Sequence, residues 1–455
     1  MNVANKIRFY NNTNEKLITI HNYGLRVWSV DLVEKKILYQ DINMGQIKRI
    51  YQCIAITADD SFALLGTRTG DIVEISLSTL LFKRCGPAKR LFSLGINTIK
   101  LLANNDIMIG AGDGTIAKLA GQYMLVKQET KVMGGVTSIT LTADGTHAFV
   151  GTNKATIYWA NTDTLDPELR NTCHYERIND IAFPSGYSDL FATCSINDIR
   201  IWNATTRQEL LRIEVPGLEC FCTSFLSDGK SLVSGWNDGK IRAFLPQSGK
   251  LFYAINDAHN HGVTALAATN DCNYLVSGGQ EGEVRIWRIG RQTQIMEASL
   301  KEHRGRVSDI KINKSDTHAV SASFDCSCII WDIKNHNRIR VLFESTMFRA
   351  VVYHPDESQV LTTGSDRKIT YWDCFDGQAI RMLDGSKDGE INALAILAEG
   401  EHYVSGGEDK QVKIWDYDEG IQYYKGVGHS GAISKVRNPA VIKFKVNRLL
   451  TRRFN

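Results

Sequence analysis

Ten cysteines and one glycine-rich run are the residues of this sequence whose type and spacing could carry chemistry. Thiolates ligate zinc or act as nucleophiles, and a glycine-rich loop can cradle phosphate when a helix follows it. Neither pattern is completed here. The cysteines, at 53, 85, 173, 194, 220, 222, 272, 326, 328 and 374, contain no CxxC pair and no His partner at zinc-ligand spacing. Cys220/Cys222 and Cys326/Cys328 are the tight pairs. Residues two apart on a strand share a face, so each pair is expected to be able to touch, as buried reduced thiols. The run GTRTGD (66–71) has no helix after it and reads as a turn between strands. GxxxxGKS/T, a GxGxxG leading from strand into helix, HExxH and GxSxG are all absent. The sequence therefore predicts no catalytic, cofactor-binding or metal-ligating residue, no cofactor and no enzyme.

The elements that would position any site repeat along the chain. Short alternating apolar segments end in an aromatic: LRVW (Trp28), TIYW (Trp159), IRIW (Trp202), IRAF (Phe244), VRIW (Trp287), CIIW (Trp331), ITYW (Trp372) and VKIW (Trp415). Weaker copies end at Ile75 and Leu119, and successive positions lie 40 to 47 residues apart. Each period holds an apolar strand, a turn, a second strand such as YLVSGG, a tight Gly/Asp/Asn turn, the aromatic strand and a looser fourth segment. Four short strands per period make a propeller blade, and NDGK (237–240) and AGDGT (111–115) supply turn residues where φ is positive.

Composition agrees with a well-cored globular protein: 43% of residues are hydrophobic and 23% charged. Lys and Arg outnumber Asp and Glu 18 to 13 over 1–165, are outnumbered 29 to 37 over 166–436, and stand at 6 to 0 over 437–455. The net charge of +3 is too small to imply nucleic acid or a membrane surface as partner. Residues 1–20 lack a secretory pattern, and no apolar run approaches the roughly 18 residues of a membrane span, so an intracellular protein is expected.

These segments resemble WD repeats; SGGEDKQVKIWDY (405–417) and SASFDCSCIIWDI (321–333) carry the likeness most closely. The resemblance implies a buried hydrogen-bond network in each blade. One would join His303, Ser321, Asp325 and Trp331. His259, Ser277 and Trp287 fit a second, with Glu281 where Asp is expected. Thr362, Asp366 and Trp372, and Ser405, Asp409 and Trp415, match without a His. A buried Asp beside a His invites a catalytic reading, but a satisfied network locking strands together is the expectation.

Ten closing strands and a started eleventh exceed the four to eight blades of one ring, so two tandem propellers are predicted. The polar stretch NTDTLDPELRNTC (161–173) divides them. Residues 1–165 are then about four C-terminal blades of a first propeller, 166–436 a second of about seven with its last incomplete, and 437–455 a basic divergent tail. His429 stands four residues before Ile433, as His303 stands before Val307 and His259 before Val263, so GVGHSGAISKV (426–436) begins a seventh blade. The Ser, Asp and Trp to complete it do not follow, and the expectation is a chain lacking blades at both ends. VIKFKV (441–446) alternates like a strand and could fill part of the gap.

A narrower resemblance runs from about residue 5 to 434, on LGTRTGDI (65–72), GPAKRLFSLG (86–95), GVTSITL (135–141), WNDGKIRAF (236–244), GEVRIWRIGRQTQ (282–294) and SDRKITYWDCFDGQAIR (365–381). These segments are similar to one family of WD-repeat proteins from motile cilia and flagella. That implies a non-enzymatic scaffold, a microtubule inner protein inside axonemal doublets, binding tubulin and other inner proteins. No nucleic acid, membrane or small-molecule substrate is implied. Tubulin surfaces are acidic, which makes Lys48, Arg49, Arg84, Lys89 and Arg90 the candidate lattice-facing residues. The alternative is a substrate receptor or assembly scaffold for a ubiquitin ligase or other cytosolic complex. Such receptors often carry Trp-Asp-x-Arg, and WDIK (331–334), WDCF (372–375) and WDYD (415–418) lack the Arg.

Overall fold

The computed structural model describes residues 5–21, 24–31, 34–290 and 293–438. They form antiparallel sheets in which consecutive strands are neighbours: eight sheets of four strands and one of seven. The architecture is all-β, a WD-type propeller. The chain divides into two compact units, Met1–Tyr175 and Glu176–Asn455. The first contains four blades, at 6–41, 51–86, 96–131 and 136–172. The second contains the seven-stranded sheet at 180–255 and blades at 263–300, 307–343, 348–384 and 391–427.

The division falls after Tyr175, not after residue 165. Pro167–Thr172, inside the polar stretch expected to divide the two rings, pairs with Thr156–Asn161 as the fourth strand of its blade. The seven-stranded sheet arises because Glu209–Phe225 runs unbroken from one blade into the next. Its first half pairs with Ile196–Asn203 and its second with Leu232–Trp236.

The core lies between blades. The cluster joining Ala265, Val276 and Ile286 to Val307, Ile310 and Trp331 is typical, since each blade buries one face against the next. Such area removed from water contributes about 25 cal/mol per Å². Close approach needs small residues on each second strand. A Cβ on Gly278 would lie 2.5 Å from Val307 Cγ1, and one on Gly235 2.7 Å from Val263 Cγ1. Register also slips one residue before the closing position, as at Ile286/Trp287, Ile330/Trp331 and Ile414/Trp415. Bulges of this kind strengthen the twist that blades around an axis require.

A second bulge corrects the expectation for the cysteines. Register slips between Cys220 and Cys222, so the two do not share a face: Cys220 packs with Ile199 and Trp236, Cys222 with Val263 and Leu266. Cys326 sits in a turn at positive φ while Cys328 is buried in the strand. All ten thiols are free.

Candidate functional site

The blade centred on Trp331 brings its four predicted residues together. Trp331 Nε1–H donates to Ser321 Oγ at 2.8 Å, Ser321 Oγ lies 2.7 Å from His303 Nε2, and His303 Nδ1 lies 3.0 Å from Asp325 Oδ2. With Nδ1–H directed at the carboxylate, Nε2 accepts the Ser321 proton, and every polar atom in the chain of bonds has a partner. Burial alone would raise the Asp325 carboxyl, but bonds from His303, Ser327 and the Arg304 N–H outweigh it and hold it well below the usual range. The order Ser, His, Asp is that of a hydrolytic relay. Here the hydroxyl is fully buried and already accepts an indole proton, so the arrangement locks strands together.

Neighbouring blades vary the theme. Trp287 donates to Ser277 at 2.9 Å, Ser277 lies 2.8 Å from His259 Nε2, and Glu281 replaces Asp 2.7 Å from His259 Nδ1. Glu281 Oε2 is buried without a hydrogen-bond partner among the described residues. Trp372 donates to Thr362 at 2.7 Å and Trp415 to Ser405 at 2.9 Å. Asp366 and Asp409 stay apart from those pairs. Asp366 Oδ1 accepts the Lys368 N–H at 3.2 Å; Asp409 is held by Lys413 Nζ at 2.7 Å and Ser386 Oγ at 3.2 Å.

A further set escaped sequence reading. Where Phe244 cannot donate, Trp236 on the adjacent strand gives its indole N–H to Ser234 at 2.8 Å. Trp28 donates to Thr19 at 2.8 Å, and Thr19 lies 3.2 Å from His21, which comes from the end of its own strand. In the second unit, equivalent positions at the start of the inner segments form a cycle. Asn179 donates to Cys220 O at 2.8 Å, Thr264 to Val307 O at 2.5 Å, Ser308 to Phe348 O at 2.7 Å and Asn392 to Ile433 O at 3.2 Å. Ser434 then donates to Ile178 O, returning to the first blade of this unit. Phe221 and Arg349 occupy the two remaining stations of seven. A lone Asn, Ser or Thr every 43 or so residues is the only sequence signal, and it is too common to notice.

The next positions inward carry charge. Asp309 Oδ1 lies 3.0 Å from both Lys311 Nζ and Lys435 Nζ, and Asp180 Oδ1 lies 3.4 Å from Arg437 Nη2. Burial would raise the Asp309 carboxyl, yet the charges of Lys311 and Lys435, with Arg437, hold it far below its ordinary value. Three cations face two carboxylates, and Lys311 bears the surplus: burial and then the Arg437 charge pull it down to about 7. Arg437 therefore continues the inward segment instead of opening a separate tail. VIKFKV (441–446) and everything after Asn438 lie outside the described residues.

In the first unit, three of the five candidate basic residues are engaged internally. Arg49 pairs with Asp71 at 3.1 Å, Arg84 with Glu74, and Arg90 with Glu129 at 2.8 Å. Lys48 and Lys89 are exposed, with no ion pair among the described residues. A cleft of about 900 Å³ in this unit is lined by Lys6, Tyr51, Gln52, Arg68 and Asn97. Among the described residues, no group of three His, Cys, Asp or Glu side chains could hold a metal ion.

Blade architecture and the indole–hydroxyl pairs together define a WD-repeat protein, and residues 250–288, 295–332, 338–373 and 377–416 match the WD domain, G-beta repeat family. Over 439 residues the chain is 46% identical to cilia- and flagella-associated protein 52 of Bos taurus, covering 96% of this chain and 70% of that one. The Chlamydomonas reinhardtii protein of the same name is 49% identical over 438 residues, and the Homo sapiens protein 45% over 439; each match covers 96% of this chain and 71% of the relative. The chain belongs to the cilia- and flagella-associated protein 52 family.

Proposed function

We propose that this chain is a non-enzymatic structural scaffold of motile cilia and flagella, a microtubule inner protein that binds tubulin and other inner proteins within axonemal doublets. The observation that carries it is identity of 46 to 49% across 96% of the chain to proteins named for cilia and flagella. Physical features support it. The His–Ser–Asp sets are sealed as structural locks, while broad blade faces can meet several partners at once. A periodic lattice engages such a surface repeatedly, so weak contacts add up to firm retention. Of the five candidate basic residues of the first unit, Lys48 and Lys89 are the two left free to meet an acidic surface.

We infer also that the first unit is part of a larger ring. Ile7 and Phe9 at one end, 62% and 51% exposed, and Phe149 and Ile157 at the other present apolar faces that blades elsewhere bury. Fractionation of axonemes tests the doublet assignment. Retention on salt-washed doublets, and absence from cells that build no motile cilia, are expected; release into the soluble fraction on axoneme isolation overturns it.

A further inference from the structure

Two stations of the inner cycle break the hydroxyl-or-amide rule, and both belong to one cluster. Phe221 and Arg349 flank Arg306, the residue immediately before Val307. Arg306 Cζ lies 5.4 Å from the Phe221 ring centroid and 5.8 Å from that of Phe324, while Arg349 Cζ lies 4.4 Å from the Phe324 centroid. Among the described residues, buried Arg306 Nε has no hydrogen-bond partner and no carboxylate pairs with its guanidinium. Its neighbours are already matched: Arg177 with Glu219 at 3.2 Å and Arg349 with Glu390 at 2.5 Å. Burial, and then the like charges of Arg177 and Arg349, lower the guanidinium from its ordinary value.

The fold gains little from this arrangement. A half-buried cation without a counter-ion is unfavourable, and of the two exceptional stations Phe221 donates no bond while Arg349 spends its guanidinium on Glu390, ahead of the next inner strand. Positions where a local rule fails with no internal compensation are where binding sites are found. Aromatic rings near the guanidinium favour the cation through their faces, and its planar fork of N–H groups matches a carboxylate held in two bonds. Three arginines and two glutamates leave one positive charge, which one carboxylate neutralises. A doubly charged phosphate would overshoot and face Glu219 and Glu390.

We propose that Arg306, flanked by Phe221, Phe324 and Arg349, is the anchor of a binding site for an acidic peptide, one Glu or Asp carboxylate of a partner protein accepting hydrogen bonds from the Arg306 fork. Fluorescence anisotropy of the purified full chain tests it, with labelled glutamate-rich, glutamine-rich and phosphoserine peptides of equal length. The glutamate peptide is expected to bind at least about 10-fold more tightly than the glutamine peptide, because a charge-assisted bond is lost in the latter. Arg306→Gln is expected to remove that preference and Arg306→Lys to restore part of it, with no fall in thermal stability for either. Unchanged binding by Arg306→Gln, or equal affinity for glutamate and glutamine peptides, overturns the site; tighter binding of the phosphoserine peptide overturns the carboxylate assignment. No microtubules are present, so the doublet assignment stands or falls separately.

Discussion

The second unit closes on itself through its inner strands, and the first leaves the equivalent positions open. Around the second, Asn392 reaches Ile433 and Ser434 reaches Ile178, so the last described segment joins the first. In the first unit Asn97 still reaches Val136 O at 2.8 Å, but Thr137, one station on, bonds only its own blade at Gly151 O, 3.1 Å away. Gln52 Oε1, another station atom, is buried without a partner among the described residues. Lys6–Phe9 is exposed along its length, whereas Val307 and Ile310 of the corresponding strand are buried. A blade completes its own sheet, but its faces and its inner donors are satisfied only by a neighbour.

Hydrogen exchange resolved by unit can break that contrast. The largest effect is expected from Asp309→Ala, which strands Lys311 and Lys435 in the ring interior and should destabilise the second unit by about 3–5 kcal/mol. Protection in the first unit should not change; equal losses in both would mean that the axial charges do not belong to closure of one ring. Asp325→Ala removes the acceptor for His303 and for the Arg304 N–H, at about 1–3 kcal/mol. Unchanged thermal stability would dismiss the blade network as a source of rigidity.

Smaller changes sharpen the comparison. A Cβ at Gly406 would sit 2.7 Å from Ile433, while one at Gly151 nears only the hydroxyls of Ser138 and Thr137. Gly406→Ala is expected to cost about 1–3 kcal/mol by overpacking and Gly151→Ala much less; denaturant midpoints check the order. The pH dependence follows from Lys311. Between its folded value of about 7 and its ordinary 10.5, the unfolded chain holds a proton that the folded chain has released, so stability rises with pH. Amides of the second unit should gain protection from pH 7 to 9 after correction for intrinsic exchange, and Lys311→Met should flatten the trend. Least of all, Phe9→Ser should change stability by no more than about 0.5 kcal/mol, as surface substitutions do. A larger loss in solution would show that its face is covered.

Much of this was legible because blades announce themselves. Trp287, Trp331, Trp372 and Trp415 recur 41 to 44 residues apart, and a strand ending in an aromatic next to a Gly/Asp turn has few other uses. The charged ring interior was not legible, because Lys435 and Arg437 look like the start of a basic tail until Asp309 and Asp180 are found opposite them. Periodicity also misjudged places where backbone geometry departs from the regular strand. The bulge at Phe221 turned Cys220 and Cys222 to opposite faces, and Pro167–Thr172 formed a strand despite its turn-rich composition. Substituted partners were missed for a different reason. Trp236 and Lys413 supply a proton from a new position, and pattern matching looks only at the old ones.

The inner cycle has a consequence for how such a protein can change. Each station is a single bond worth about 0.5–1.5 kcal/mol, and blade-to-blade packing is continuous beneath it. Losing one leaves the ring shut, so the stations are redundant members of a set. Redundancy makes them the positions at which a ring or a charge can stand in place of a hydroxyl or amide without loss of the fold, as Phe221 and Arg349 do.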